Sequence, residues 1–222
     1  MPDGQRTFYD LSHTITHGMT TFPGLPGPVI CDFLSREASR GRYAPGVEFQ
    51  IGRIDMVANT GTYVDSPFHR YADGVDLAGL ALESLADLET IVVDARAVAA
   101  VDRSRFKGLR VEGRAVLVRT GWDAHWGTER YRSGNPFLTA DAAAWLTDHG
   151  AALVGIDSLN IDDMNDRARP VHSTLLGAGI PIVEHLTGLG RLPSGSGALR
   201  FFAVPAKVEA FGTWPVRAFA IA

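Results

Sequence analysis

Residues 115–156 read AVLVRTGWDAHWGTERYRSGNPFLTADAAAWLTDHGAALVGI, and this stretch decides the fold. It opens and closes on short, apolar, β-branched runs, residues 115–119 and 152–156, which are typical of buried strands. Between them, residues 139–149 predict a helix, because the threonine at its start can cap it and Gly150 follows its end. A strand, a helix and a strand in this order predict an α/β protein with a mixed sheet.

Further strands are predicted on both sides of this unit. The apolar runs that predict them are residues 50–58, 90–95, 181–184, 199–205 and 216–221. The last run nearly reaches the C-terminus, so we expect the chain end to pair into the sheet. Leucines between residues 77 and 88 recur close to helical spacing, which favours a helix there. The 222 residues are predicted to form one domain, 1–222, which buries about 70% of the surface of the unfolded chain.

Composition excludes several classes of protein. The net charge is −4 with both signs mixed along the chain, so no basic surface for nucleic acid is expected. No apolar stretch approaches the roughly 18 residues of a membrane helix, and the N-terminus lacks the apolar core of a signal peptide. The single cysteine, Cys31, favours a reducing compartment. We therefore expect a cytoplasmic protein that binds neither nucleic acid nor membrane. Dinucleotide, phosphate-loop, zincin and α/β-hydrolase motifs are absent from the sequence.

The densest polar cluster is NTGTYVDSPFH at residues 59–69, directly after a predicted strand. Asp65 and His69 are four residues apart, and Pro67 between them disfavours a helix. A bend around Pro67 would bring the carboxylate and the imidazole to one pocket, where a turn of this kind can hold catalytic side chains rigidly. The alternative is a solvated turn with an aspartate at the end of a strand.

A second polar cluster begins at residues 170–176, PVHSTLL, and continues through residues 179–185, GIPIVEH. Glu184 lies inside an apolar strand pattern, where an unpaired carboxylate is costly. A metal, a proton or a positive side chain should neutralise it, and the plainest alternative is a buried pair with an arginine. His185 should face away from Glu184 if the strand is regular.

The first cluster resembles the motif His-x-Gly-Thr-His-x-Asp-x-Pro-x-His of the cyclase family of metal-dependent hydrolases, which includes kynurenine formamidase and isatin hydrolase. The matching positions are Gly61, Thr62, Asp65, Pro67 and His69. His172 and Glu184 are similar in order and surroundings to a later histidine and glutamate of the family. Further similar stretches are residues 10–13, 22–24, 120–122, 126–127 and 155–158. The resemblance implies the family's swivelling β/β/α fold.

The sequence departs from this motif at two positions, because Asn59 and Tyr63 stand where the family has metal-binding histidines. Amide and neutral phenol groups are poor zinc ligands. The resemblance then implies at most one divalent ion, zinc or manganese. The residues implied to hold it are Asp65, His172 and Glu184.

The resemblance implies a hydrolase that cleaves a C–N or C–O bond of a small amide, lactam, lactone or aryl formamide with a metal-activated water. His69 would act as general base and acid. The first alternative is a metal-free cyclase, dehydratase or isomerase in which His69 and Asp65 move protons while Tyr63 and Asn59 stabilise an oxyanion. The second is a binding protein that keeps the pocket without turnover.

The resemblance also implies a homodimer or homotetramer, in which the apolar N-terminal segment would be a packed or exchanged arm. Phe22, in a Pro/Gly-rich loop at residues 22–28, would cover an aromatic substrate. His13 and His17 are candidate pocket residues near this loop. The remaining aromatic and imidazole side chains are interpreted as structural: His125, His149, Trp122, Trp126, Trp214 and Phe211.

Overall fold

A computed structural model describes residues 6–193 and 199–222 of the chain. In these residues the strands are β1 (Phe8–Asp10), β2 (Val29–Leu34), β3 (Ile51–Asp55), β4 (Tyr63–Asp65), β5 (Leu88–Asp94), β6 (Ala100–Val101), β7 (Ala115–Arg119), β8 (Phe137–Leu138), β9 (Leu153–Ile156), β10 (Ile182–Glu184), β11 (Arg200–Phe202), β12 (Thr213–Pro215) and β13 (Phe219–Ile221). The α-helices are α1 (Arg36–Ser39), α2 (Ala140–Asp148) and α3 (Pro170–Gly177).

One large mixed sheet organises the molecule, with its nine strands in the order β1, β13, β11, β5, β7, β9, β10, β4, β12. The central strands β5, β7, β9 and β10 run parallel, and the strands on both flanks are antiparallel. The predicted α/β class with a mixed sheet is therefore confirmed. The last strand, β13, lies between β1 and β11, which confirms that the C-terminal strand is tied into the sheet.

The sheet separates two apolar cores. Along β7, Val116 and Val118 pack into the core under α2 and α3, while Leu117 packs into the core on the opposite face. All of these side chains are fully buried. A strand covered on both faces needs apolar residues at every position, which is why the sequence shows an unbroken apolar run there.

The helix expected between residues 77 and 88 is wrong, since only a 3₁₀ turn at Leu82–Ser84 forms there. The carboxylate of Asp76 accepts hydrogen bonds from the backbone N–H groups of Gly79 and Ala210 and holds the segment as a turn. Leu77 and other leucines pack from this turn into the second core, whereas Leu82 is exposed. A tertiary contact thus overrides the helical spacing.

Helix α3 was not predicted, because its eight residues are too few to give a clear period. Its start is held from outside the helix by the Asp162 carboxylate, which accepts hydrogen bonds from the N–H groups of Val171 (2.7 Å) and His172 (3.1 Å). Pro170 at the first helical position suits such an N-terminus. Helix α2 confirms the prediction at residues 139–149, and Gly150 takes the left-handed conformation after its end.

Strands β2 and β3 form a separate antiparallel hairpin outside the large sheet. Nearly all of its residues are exposed, including Ile30, Phe33 and Ile54. Among the described residues, no helix has both the length and the apolar composition needed to cross a bilayer.

Candidate active site

Three neighbouring strands, β10, β4 and β12, carry the polar residues of the site. Glu184 lies opposite Tyr63 in the β10–β4 register, and Asp65 lies opposite Thr213 in the β4–β12 register. Residues two apart on a strand share a face of the sheet, so these four side chains point the same way. They face α3, whose His172 completes the group.

A cavity of about 290 Å³ opens over these residues. Its lining residues are Phe22, Leu25, Asn59, Tyr63, His69, Arg70, Asn160, Arg169, His172 and Glu184. The structure thus brings together the two polar clusters of the sequence. The Pro/Gly-rich loop at residues 22–28 contributes Phe22 to the wall.

The buried His172 links the two carboxylates that were predicted to share a site. Its Nε2 lies 3.7 Å from Asp65 Oδ2 and 3.8 Å from Glu184 Oε1. On the other side of the ring, Nδ1 lies 2.6 Å from Asp162 Oδ2. Since Nδ1 donates its proton to Asp162, the ring is oriented with Nε2 toward the cavity. In metal-binding histidines, the ring nitrogen that does not face the metal usually donates a hydrogen bond to a carboxylate, as Nδ1 does here.

The charge of His172 is set by its surroundings. Burial opposes protonation of the imidazole, but the carboxylates of Glu184, Asp162 and Asp65 outweigh it and raise the pKa of His172 to about 10. Burial likewise opposes ionisation of Asp65, yet His69 and His172 lower the pKa of that carboxyl below its usual value. The group therefore holds a positive charge among negative ones at neutral pH.

Asp65, Thr213 and His69 form a hydrogen-bonded chain. The Thr213 hydroxyl donates to Asp65 Oδ1. Because that hydroxyl has one proton, its oxygen accepts from His69 Nδ1, 2.9 Å away. In the neutral ring this network places the proton on Nδ1, so Nε2, which has no hydrogen-bond partner in the described residues, is the nitrogen that can act as a general base. The bend expected around Pro67 is present as a 3₁₀ turn, Pro67–His69, and buried Asp65 rules out the solvated turn.

Tyr63 is fully buried and its hydroxyl donates to Glu184 Oε2 over 2.7 Å. Burial and the Glu184 and Asp65 charges raise the pKa of this phenol well above its ordinary value. The backbone N–H of Ile161 donates to the other oxygen, Glu184 Oε1, over 2.6 Å. Burial raises the pKa of Glu184 to about 7, although His172 works in the opposite direction. Glu184 is thus satisfied by Tyr63, Ile161 and His172 rather than by the arginine considered as an alternative.

The residues present fit one divalent ion. Asp65, His69 and His172 each offer a ligand atom within 4.8 Å of the others. Asp65 Oδ2 is buried and has no hydrogen-bond partner, so it is left with an unused lone pair facing His172. Carboxylate oxygens and imidazole nitrogens are donors that zinc accepts. The Tyr63 hydroxyl is a weaker metal ligand than these groups, because it stays protonated and donates its proton to Glu184.

His185 does not face away from Glu184, so that prediction is wrong. The strand β10 ends at Glu184, and His185 has a positive φ of 56°, which rotates its side chain back toward the site. Its Nε2 lies 3.3 Å from the Tyr63 hydroxyl and its Nδ1 lies 2.8 Å from the hydroxyl of Tyr131. Burial lowers the pKa of His185 to about 3, so the ring is neutral and supports Tyr63 from behind.

His13 and His17 lie outside the cavity lining. His13 stacks on Trp126 with ring centroids 3.8 Å apart, and burial lowers its pKa to about 4. His17 is exposed and accepts a hydrogen bond from the N–H of Ile30. Trp122 is buried with Tyr131, as a structural role predicts.

Other residues important to the site carried no clear signal in the sequence. Asp162 is one of several aspartates in a short polar stretch, and Thr213 lies in a strand that was not predicted. Arg70 and Arg169 line the cavity but stand in polar segments without a recognisable pattern. Only the fold reveals that these four residues surround His69 and His172.

Comparison with known proteins gives a consistent result. A family model described as "Putative cyclase" matches residues 9–163. The kynurenine formamidase of Erythrobacter litoralis is 30% identical over 205 residues, which cover 92% of this chain and 88% of that enzyme. A solved protein described as a potential metal-dependent hydrolase with cyclase activity superposes with a TM-score of 0.77 at 26% identity over 98% of both chains. Isatin hydrolase A from Labrenzia aggregata superposes with a TM-score of 0.79 over 98% of this chain and 94% of that one, and at 21% identity this shows a common fold.

Proposed function

The chain belongs to the cyclase family and is a hydrolase of that family, and on this premise we propose that it cleaves the amide C–N bond of a small aromatic formamide or lactam. The observation that carries the proposal is the convergence of Asp65, His172 and Glu184 beside the free nitrogen of His69. The relatives named kynurenine formamidase and isatin hydrolase support an amide as the substrate.

The chain's own residues divide the reaction between them. His69 Nε2 takes a proton from water as the water oxygen bonds to the carbonyl carbon, and it returns that proton to the leaving nitrogen as the C–N bond breaks. Asp65, His172 and Glu184 would hold a divalent ion, zinc or manganese, which when bound supplies carbonyl polarisation and a lowered pKa of water. Asp65 also fixes the tautomer of His69 through Thr213.

The apolar part of the cavity favours an aromatic substrate. Phe22 and Leu25 line it from the Pro/Gly-rich loop, together with the polar side chains of Tyr63 and Glu184. An aromatic ring would pack against Phe22 and Leu25, in the same cavity as His69. The metal-free alternative needs Tyr63 as a donor to an oxyanion, and the Tyr63 proton is instead directed at Glu184.

Removing the metal tests the proposal. We expect the purified protein to hydrolyse formanilide, to lose this activity on treatment with a chelator, and to regain it with added Zn²⁺ or Mn²⁺. Because the pKa of His172 is raised to about 10, its nitrogen must lose a proton before it can coordinate an ion. The metal concentration for half-restoration should therefore fall about tenfold for each unit of pH rise between roughly pH 6 and 8, and calorimetry should record proton release. Full activity after chelation, or an affinity independent of pH, would contradict the proposal.

We further propose that two or more copies of the chain assemble through the hairpin of β2 and β3. A two-stranded hairpin alone is only marginally stable in water, and this one exposes Ile30 (38%) and Ile54 (54%) directly opposite each other. Burying that apolar surface against a second copy would stabilise both hairpins.

Cys31 lies in β2 and its thiol is exposed, which suits the predicted cytoplasmic location, where thiols stay reduced.

Charge on the hairpin should break this assembly. We expect light scattering to give a dimer or tetramer for the wild type and a single-chain mass for the double variant Ile30→Glu, Ile54→Glu, because each buried carboxylate would be costly. Leu82→Glu is the matched control, since Leu82 is equally apolar and 62% exposed but lies on the 3₁₀ turn far along the chain. A wild-type protein that has the mass of one chain at all concentrations would refute the proposal.

A further inference from the structure

The cavity carries two positive side chains that the proposed chemistry does not use. Arg70 and Arg169 both line it. Within the described residues, neither guanidinium forms an ion pair with a carboxylate. Their hydrogen bonds go to neutral groups: Arg70 to the Ser173 hydroxyl and the Ala168 carbonyl, and Arg169 to the Asn160 side chain and the Asp163 carbonyl. Two uncompensated cations therefore face one small space.

Both arginines are held in place by the elements that carry the site. Arg70 directly follows His69, and its Nε and Nη2 reach across to the Ser173 hydroxyl and the Ala168 carbonyl, each over 3.1 Å. Arg169 directly precedes α3 and has a left-handed backbone (φ 50°, ψ 57°), which is uncommon for a residue with a side chain. Strained backbone of this kind persists where the surrounding structure enforces it, and here it places Arg169 beside the cavity.

Each guanidinium keeps donors to spare. Arg70 Nη1 and the Nε and Nη2 of Arg169 have no hydrogen-bond partner among the described residues. The planar fork of an arginine matches the two oxygens of a carboxylate, and the pair binds through charge-assisted hydrogen bonds. Glu184 lines the same cavity and its carboxyl group would not attract an anion, so the charged end of a ligand is favoured beside the arginines.

We propose that the substrate bears a carboxylate besides its scissile amide, and that Arg70 and Arg169 bind this carboxylate and determine specificity. This inference rests on the proposed amide hydrolysis. The carboxylate pairs with the arginines, and the uncharged amide is left for His69, which lines the same cavity. The two arginines thereby act on substrate choice and orientation, and take no part in the proton transfers.

A pair of substrates separates this role from catalysis. N-formylanthranilate and formanilide share a ring and a formamide and both release formate, but only the first carries a carboxylate before the reaction. We expect Arg169→Gln and Arg70→Gln each to raise the KM for N-formylanthranilate by about 10- to 100-fold, the usual value of a hydrogen bond to a charged group. Hydrolysis of formanilide should change less than about twofold on the scale of such contacts. Arg167→Gln is the matched control, because Arg167 is exposed in the same loop and does not line the cavity.

Binding of benzoate, measured by calorimetry, gives a readout without turnover. The wild type should bind benzoate, and both arginine variants should bind it about 10- to 100-fold more weakly. The protein could bind benzoate through the arginines and yet hydrolyse neither formamide. That result would refute the proposed hydrolysis but support the anion site. Equal effects of the variants on both substrates, or none on either, would overturn the anion site while the hydrolysis stands. If Arg169→Gln fails to fold, Arg70→Gln decides the same question.

Discussion

Asp65→Asn is expected to lower the rate of amide hydrolysis at least about 100-fold and to reduce bound metal, since even residues that only support a metal ligand contribute 10- to 100-fold. Asp65 is fully buried, and its Oδ2 faces His172 Nε2 with no hydrogen-bond partner. Asparagine keeps an oxygen to accept the Thr213 proton but loses the negative charge. The fold should remain intact, because the carboxylates of Asp162 and Glu184 still face the His172 ring.

The measurement is metal content per chain together with the rate on formanilide and the midpoint of thermal unfolding. Asp94→Asn is the matched control, because Asp94 is exposed and paired with Arg96 on the surface. A variant at position 65 that keeps both metal and activity would show that the site works elsewhere in the cavity. If the activity is lost because the variant is unfolded, its midpoint of thermal unfolding will be lower than that of the wild type.

His69→Ala is expected to lower the rate by about 10²- to 10⁴-fold, the range for a lost proton-transfer group, while the metal content stays unchanged. Its side chain is 36% exposed at the cavity wall, and its Nδ1 is engaged by Thr213, which leaves Nε2 for the substrate.

The ring of His69 is also close enough to Asp65 and His172 to bind metal. Metal analysis of His69→Ala therefore separates a proton-transfer residue from a ligand. If the metal content falls together with the activity, His69 is a metal ligand in place of Glu184. His149→Ala serves as the control, because His149 is exposed at the end of α2 and stacks on Trp145.

The sequence predicted the polar clusters better than their connections. The buried position of Glu184 follows from its apolar neighbours, and its need for a partner follows from the cost of burying a carboxylate. That Tyr63 is this partner could not be predicted, because the two residues are 121 positions apart and meet through the β10–β4 register. No short turn joins β4 to β10 to fix their register locally, so the register follows from the faces that the whole sheet buries.

The support of His172 was hidden for a different reason. Asp162, Asp163 and Asp166 are chemically alike, and nothing local distinguishes the one that lies under α3. Once α3 docks on the sheet, only Asp162 accepts from both the backbone and the ring of His172. The turn expected around Pro67 was predictable, because proline constrains the backbone within a few residues.

The position of β4 between β10 and β12 has a consequence during synthesis of the chain. Asp65 leaves the ribosome early, but its partner Thr213 is 148 residues further along. A nascent chain in which His172 and Glu184 have already been synthesised still lacks β12, the strand that orients His69. Pairing of such distant segments is slow and comes late in folding. The polypeptide should therefore stay catalytically silent until residues 213–215 have been synthesised and β12 has paired with β4.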